Sequence, residues 1–166
     1  MGEERLGRFL NNIPTETALV LHDRRIRGSK ANIDHIVVAN NGVWVVDAKR
    51  YKGRVEKRDV GGWLRTDLRL YVGGRDRSPL VAGVRKQVDL VQRALESLDV
   101  PALGVTGVLY FVEADWSLFA KPLSFQGVVV TWPKDIRKSI QQPGILDGTT
   151  RRRISRSLAD AFPPAA

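Results

Sequence analysis

The chain reads as an α/β sandwich with a mixed central sheet, and three observations support that class. Apolar, β-branched runs occur at Ile33–Ala39, Val43–Arg50, Val105–Val112 and Gly127–Thr131. A 19-residue stretch from Leu80 to Leu98 instead repeats its apolar side chains at helical spacing. The order of elements is helix, strands, helix, strand, strand, helix, which packs as helices on the faces of a sheet.

The elements follow in chain order. Glu3 to Ile13 puts Leu6, Phe9, Leu10 and Ile13 on one stripe and stops before Pro14, the pattern of a short amphipathic helix. Ala18 to His22 reads as a strand, and the polar stretch from Asp23 to Asn32 as a loop. The strands Ile33–Ala39 and Val43–Arg50 flank Asn40-Asn41-Gly42, a strong hairpin signal. Tyr51 to Gly74 is expected to hold short strands broken by turns at Gly53, Gly61-Gly62 and Gly73-Gly74. Leu80, Val84, Val88, Val91, Leu95 and Leu98 mark the long helix, which ends before Pro101. Val105–Val112 suits a buried strand. Gly127–Thr131 is a further strand, Pro133 opens a helix to Gln141, and Thr149 to Phe162 forms a basic closing helix. Without repeats, linkers or composition breaks, the 166 residues are expected to form a single domain spanning 1–166.

Composition narrows the function classes. There is no cysteine, which excludes disulfides and thiolate metal sites. Glu3, Glu4, Arg5 and Arg8 are incompatible with a secretory leader. No apolar run reaches the ~18 residues that a membrane span requires, so no membrane partner and a cytoplasmic location are expected. The net charge of +9 and pI of about 10.3 point to a polyanion. The excess is local: residues 49–86 carry twelve basic and four acidic side chains, whereas residues 1–48 balance six against six.

The chemistry is concentrated in the hairpin. A loop of Asn40-Asn41 sets Asp34 opposite Asp47, whereas a loop of Asn41-Gly42 sets it opposite Lys49. Either two-residue loop brings Asp34, Asp47 and Lys49 to one face, because strand side chains alternate with period two. A loop of odd length would separate them. Two carboxylates on an apolar surface repel and are costly to bury. A divalent cation, Mg²⁺ or Mn²⁺, would resolve that conflict with Asp34, Asp47 and the Ala48 carbonyl as oxygen ligands. Lys49 would orient or deprotonate a water and offset phosphate charge. A structural Asp–Lys pair at a strand end remains the alternative on spacing alone.

Lys52, Arg54, Lys57 and Arg58 follow directly and are expected to contact phosphates. Trp63 could stack on a base or anchor a turn. Arg151, Arg152, Arg153 and Arg156 could hold phosphates or form a solvated helix end. By parity His35 and Trp44 point away from the carboxylates, His35 as a packed or hydrogen-bonded residue.

The segment Ile33-Asp34-His35-Ile36-Val37-Val38, then Asn41-Gly42-Val43-Trp44-Val45-Val46-Asp47-Ala48-Lys49, then Tyr51-Lys52-Gly53-Arg54-Val55 resembles the nuclease-related domain, NERD. Its core motif occupies 33–55. The spacing of Asp34 to Asp47-Ala48-Lys49 is similar to the PD-(D/E)XK phosphodiesterase signature. Gly2-Glu3-Glu4, Gly62-Trp63, Ser78-Pro79 and Arg85-Lys86-Gln87 extend the likeness over residues 2–98. Asp47 stands where Glu is usual, and Ser78 replaces a common Asn. The stretch between Pro79 and Gln87 is somewhat longer than the family pattern.

The resemblance implies a restriction-endonuclease-like three-layer sandwich and a metal-dependent nuclease. It implies metal ligation by Asp34 and Asp47, catalysis by Lys49, assistance from Glu3 and a nucleic-acid contact by Gln87. Hydrolysis of DNA, rather than RNA, with little sequence specificity is the resulting expectation, since no base-reading motif is visible. A double-strand cut from one metal centre would need a homodimer or two events. The alternatives are a catalytically silent nucleic-acid-binding module and a scaffold for an acidic protein partner.

Overall fold

In a computed structural model of the chain, residues 2–98, 100, 103–116 and 121–165 are described, with residues 2–5, 133 and 134 described by backbone alone. The order is α1 (Gly2–Asn11), β1 (Ala18–Arg25), β2 (Asn32–Ala39), β3 (Gly42–Asp59), β4 (Leu68–Val72), β5 (Arg75–Asp76), α2 (Ser78–Glu96), β6 (Val105–Asp115), β7 (Leu123–Phe125), β8 (Val128–Thr131), α3 (Pro133–Ile140) and α4 (Gly148–Ala161). The main sheet runs β1-β2-β3-β6-β8-β7, with β4 and β5 paired to the far end of β3. β3, β6 and β8 are mutually parallel, and the other pairings are antiparallel. The sheet is therefore mixed, as the sequence predicts.

Alternation along the strands builds two cores. Val37, Ala39, Val46, Ala48, Val108 and Tyr110 meet Leu6 and Leu10 of α1 and Ile136 and Ile140 of α3. Ile36, Val38, Val43 and Val45 meet Val91 and Leu95 of α2 and Ile154 and Leu158 of α4. Helix, sheet and helix thus form three layers consistent with a restriction-endonuclease-like sandwich. β2 and the first half of β3 are apolar on both faces because both faces are covered.

Four local expectations change. β1 runs to Arg25, three residues beyond His22, because β2 offers it a partner as far as Asn32. The expected turn at Gly53 is absent: β3 is one strand of 18 residues. Gly53 has φ +100°, and a Cβ there would lie 2.6 Å from the Gly73 Cα, so this glycine serves a close approach of two backbones. The expected strand at Gly127 begins one residue later. Gln126 (φ +50°) and Gly127 (φ +79°) form the turn of a hairpin joining β7 and β8, a two-residue loop with both positions left-handed. Arg151 is a buried strut whose guanidinium donates to the carbonyls of Thr15 (3.0 Å) and Glu16 (2.6 Å). It is neither a phosphate contact nor a solvated charge.

Among the described residues no helix is long and apolar enough to cross a membrane.

Candidate metal centre and its surroundings

The hairpin loop is Asn40-Asn41, since Ala39 pairs with Gly42 and His35 with Val46. One step further along, Asp34 stands across from Asp47. The loop is even; Asp47 and Lys49 lie on the face packed against α2, and Asp34 reaches them from the end of the β2–β3 ladder while also lining a cleft on the α1 side. β6 runs beside β3 and pairs Asp47 with Leu109 and Lys49 with Phe111. Apolar neighbours therefore surround the charges on the sheet.

Asp47 is only 5% exposed, and the Asp34 and Lys49 side chains are 11% and 31% exposed. Asp34 Oδ2 accepts from the Ala48 N–H at 2.9 Å. Lys49 Nζ hydrogen-bonds Asp47 Oδ1 and lies 3.9 Å from Asp34 Oδ2. Burial and the neighbouring Asp47 carboxylate push the Asp34 pKa up to about 8, although the Ala48 N–H and Lys49 pull the other way. Among the described residues Lys49 is the cation that reaches both carboxylates, and the repulsion between them still raises the Asp34 pKa.

The donor set suits a hard cation. It holds two carboxylates and no sulfur. The Ala48 carbonyl lies on the same strand edge as its N–H, which is turned toward Asp34. Oxygen donors of this kind match Mg²⁺ or Mn²⁺. Two side chains are few for a metal, and among the described residues no cluster of three His, Cys, Asp or Glu forms. Water and substrate phosphate normally complete a Mg²⁺ shell. The Glu3 side chain lies outside the described residues.

Gln87, on α2, reaches toward the start of β2: its Nε2 is 3.5 Å from the Asn32 carbonyl. Its Oε1 is buried with no hydrogen-bond partner among the described residues. The polar end of Gln87 thus sits two residues from Asp34 along the strand. Lys52, Arg54, Lys57 and Arg58 are all exposed. Tyr51 and Val55 turn inward to the cluster under α2, so Lys52 and Arg54 alternate onto the outer side. Arg58 is paired with Glu56 and packs 4.6 Å over the Tyr71 ring.

One feature on the α1 side of the sheet, bordering Asp34, has no signal in the sequence. His22 Nδ1 and His35 Nδ1 are 2.9 Å apart, and His22 Nε2 is 2.7 Å from Asn11 Oδ1. They line a cleft of about 320 Å³ with Gly7, Arg8, Asn11, Asp23 and Asp34. Burial, then the neighbouring His22, lowers the His35 pKa to about 4. Burial and Arg24 lower that of His22. The expectation for His35 foresaw packing or a hydrogen bond but not the partner, because β1–β2 register has no signal in either strand alone.

The profile of the nuclease-related domain family matches residues 1–112. The chain belongs to the NERD family. This match covers α1, the hairpin with all three candidate residues, α2 and most of β6. An uncharacterized protein of Bacillus anthracis is 38% identical over 55 residues, covering 31% of this chain and 26% of that protein. The chain therefore matches only about a quarter of that relative's length. No solved structure matched the chain.

Proposed function

We propose that this NERD chain hydrolyses phosphodiester bonds in DNA, with Mg²⁺ or Mn²⁺ held by Asp34, Asp47 and the Ala48 carbonyl. The observation that carries the reading is the convergence of the Asp34 and Asp47 carboxylates beside Lys49, both largely covered, at the end of the β2–β3 ladder. When bound, the ion offsets charge at phosphorus and makes a water a better nucleophile at neutral pH. Asp34, in its deprotonated form, and Asp47 would supply the two carboxylates that hold the ion. Lys49, already bonded to Asp47, holds the attacking water in line and faces the phosphate. Gln87 offers a buried, unpartnered oxygen near the start of β2 and positions the substrate strand. Glu3, on α1, is assigned an assisting role.

Lys52, Arg54, Lys57 and Arg58 continue along β3 as backbone contacts that do not read sequence. Little base specificity is therefore expected. A double-strand break would require two copies or two successive cuts.

The test is cleavage of labelled DNA by purified protein with Mg²⁺ or Mn²⁺, and its loss in Asp47→Ala. Undiminished cutting by Asp47→Ala would refute the assigned centre. Salt-dependent binding of DNA without any cleavage would instead leave a silent binding module.

A further inference from the structure

The two most exposed large apolar side chains among the described residues lie at the turn between β3 and β4, past the end of β3 away from the hairpin. Trp63 is 99% exposed and Leu64 95%, with Val60 at 48% and Leu68 at 41% below them. Burial of such groups is a leading favourable term in folding, yet this pair is held outward side by side. The loop that presents them is built. Asp59 accepts from the N–H groups of Gly61 and Asp67, both at 2.9 Å. The Val60 N–H donates to the Asp67 carbonyl at 2.8 Å. Lys57, Arg58 and Arg65 stand close by in sequence, so the apolar tip has basic flanks.

We propose that this tip is a base-stacking platform, with Trp63 and Leu64 receiving unpaired bases of a nucleic-acid strand. The inference rests on the nucleic-acid reading of the Asp34–Asp47 centre. Two points favour bases. Aromatic side chains among cations are the general means of holding single strands. The tip also stands on β3 itself, the strand that carries Asp47 and Lys49. About ten residues separate Lys49 from the end of β3, at most ~33 Å at strand rise. A stacked strand of roughly ten nucleotides would cover that span at ~3.4 Å each. The platform would therefore act on strands long enough to bridge tip and centre, and on duplexes with a frayed or single-stranded end.

The experiment is a fluorescence titration in EDTA, where no cutting occurs, with oligo-dT of about 20 and about 4 nucleotides and with a blunt duplex. For the long strand, indole emission is expected to be quenched in the parent. Trp63→Ala should lose that quenching and weaken binding about 5- to 100-fold, while Trp63→Phe keeps most of the affinity. The blunt duplex and the short strand should change less than about twofold. Equal affinities in parent and Trp63→Ala would overturn the proposal. So would partition of Trp63 into anionic vesicles without any response to DNA, or a dimer in sedimentation that Trp63→Ala dissociates. Quenching without cleavage in Mg²⁺ would uphold the platform and refute the nuclease reading. Cleavage with no Trp63 effect would do the reverse, and no nucleic-acid binding at all would refute both.

Discussion

The two halves of β3 carry charge in opposite ways. Its first half, from Gly42 to Lys49, lies mid-sheet between β2 and β6, and its charged groups sit among apolar neighbours. Its second half leaves β2 behind and runs on as an arm with β4, where the charges are solvated. In the arm, Arg58 pairs with Glu56, and Arg69 pairs with Asp67 and Asp76. Such exposed pairs contribute at most ~1 kcal/mol each. In the buried half the Lys49 ammonium is the cation that meets both carboxylates among the described residues, and the Asp34 pKa rises to about 8. The same residue types are therefore decoration in one half and unmet demand in the other. Burial makes the difference, and a cation is the simplest remedy.

The comparison breaks first at the buried half. Asp47→Ala should reduce metal-dependent cutting to background in a plasmid-nicking assay. If the arm carried the chemistry instead, this variant would keep its rate. Lys49→Ala should slow cutting by about 10²- to 10⁴-fold, the usual range for a positioned proton-transfer group. Calorimetric Mn²⁺ binding should survive in Lys49→Ala and fail in Asp47→Ala.

The next effect is on stability and has a definite sign. The folded pKa of Asp34 is raised from 3.8 to about 8, so the folded state holds a proton that the unfolded chain releases. The stability of the metal-free protein from this group should fall as pH rises from about 4 to about 8. His35 shifts from 6.5 to about 4, so its folded form stays neutral where the unfolded chain is charged. Its contribution should be complete above pH 6.5 and decline as pH falls toward 4. The two slopes cancel between about pH 4 and 6.5, so thermal melts of the metal-free protein should stay level there and lose stability from pH 6.5 to about 8. Asp34→Asn should remove the alkaline loss and uncover the acid decline of His35, whereas His35→Asn should extend the Asp34 loss down toward pH 4. Mg²⁺ should raise the melting temperature more at pH 8 than at pH 6, since it replaces the proton at Asp34.

Smaller effects belong to the arm. Gly53→Ala places a Cβ 2.6 Å from the Gly73 Cα at a left-handed φ, and about 1–3 kcal/mol of destabilisation is expected. Hydrogen exchange should localise the damage to β3–β4, leaving the Asp47 amide protected. Arg58→Ala should cost under ~1 kcal/mol in denaturant melts. A larger loss would mean that its contact with Tyr71 organises the arm.

Most of the sandwich was legible because its signals are local. Helix spacing at Val84, Val88, Val91 and Leu95, and the Asn40-Asn41-Gly42 hairpin signal, need no distant partner to be read. Parity then placed Asp34, Asp47 and Lys49 together before any register was known. The arm was misread as short strands with a break at Gly53, because a glycine between charged residues resembles a turn. Gly53 is instead needed where β3 crosses Gly73, twenty residues later, and no local pattern records that. β7 was missed because three residues, Leu123–Phe125, are too few to show a period.

By itself, then, the sequence determined the sandwich class, the hairpin and the meeting of the two carboxylates and the lysine at its open end, since these follow from patterns within short segments. The tertiary structure decided the rest. It chose the register that brings Asp34 to Asp47 and covered the pair, which raises the Asp34 pKa. It buried Arg151 against the Thr15 and Glu16 carbonyls and joined His22 to His35. It also extended β3 into an arm that ends in Trp63. Each of these depends on groups far apart in the chain, whose energies exist only once the sheet and helices close around them.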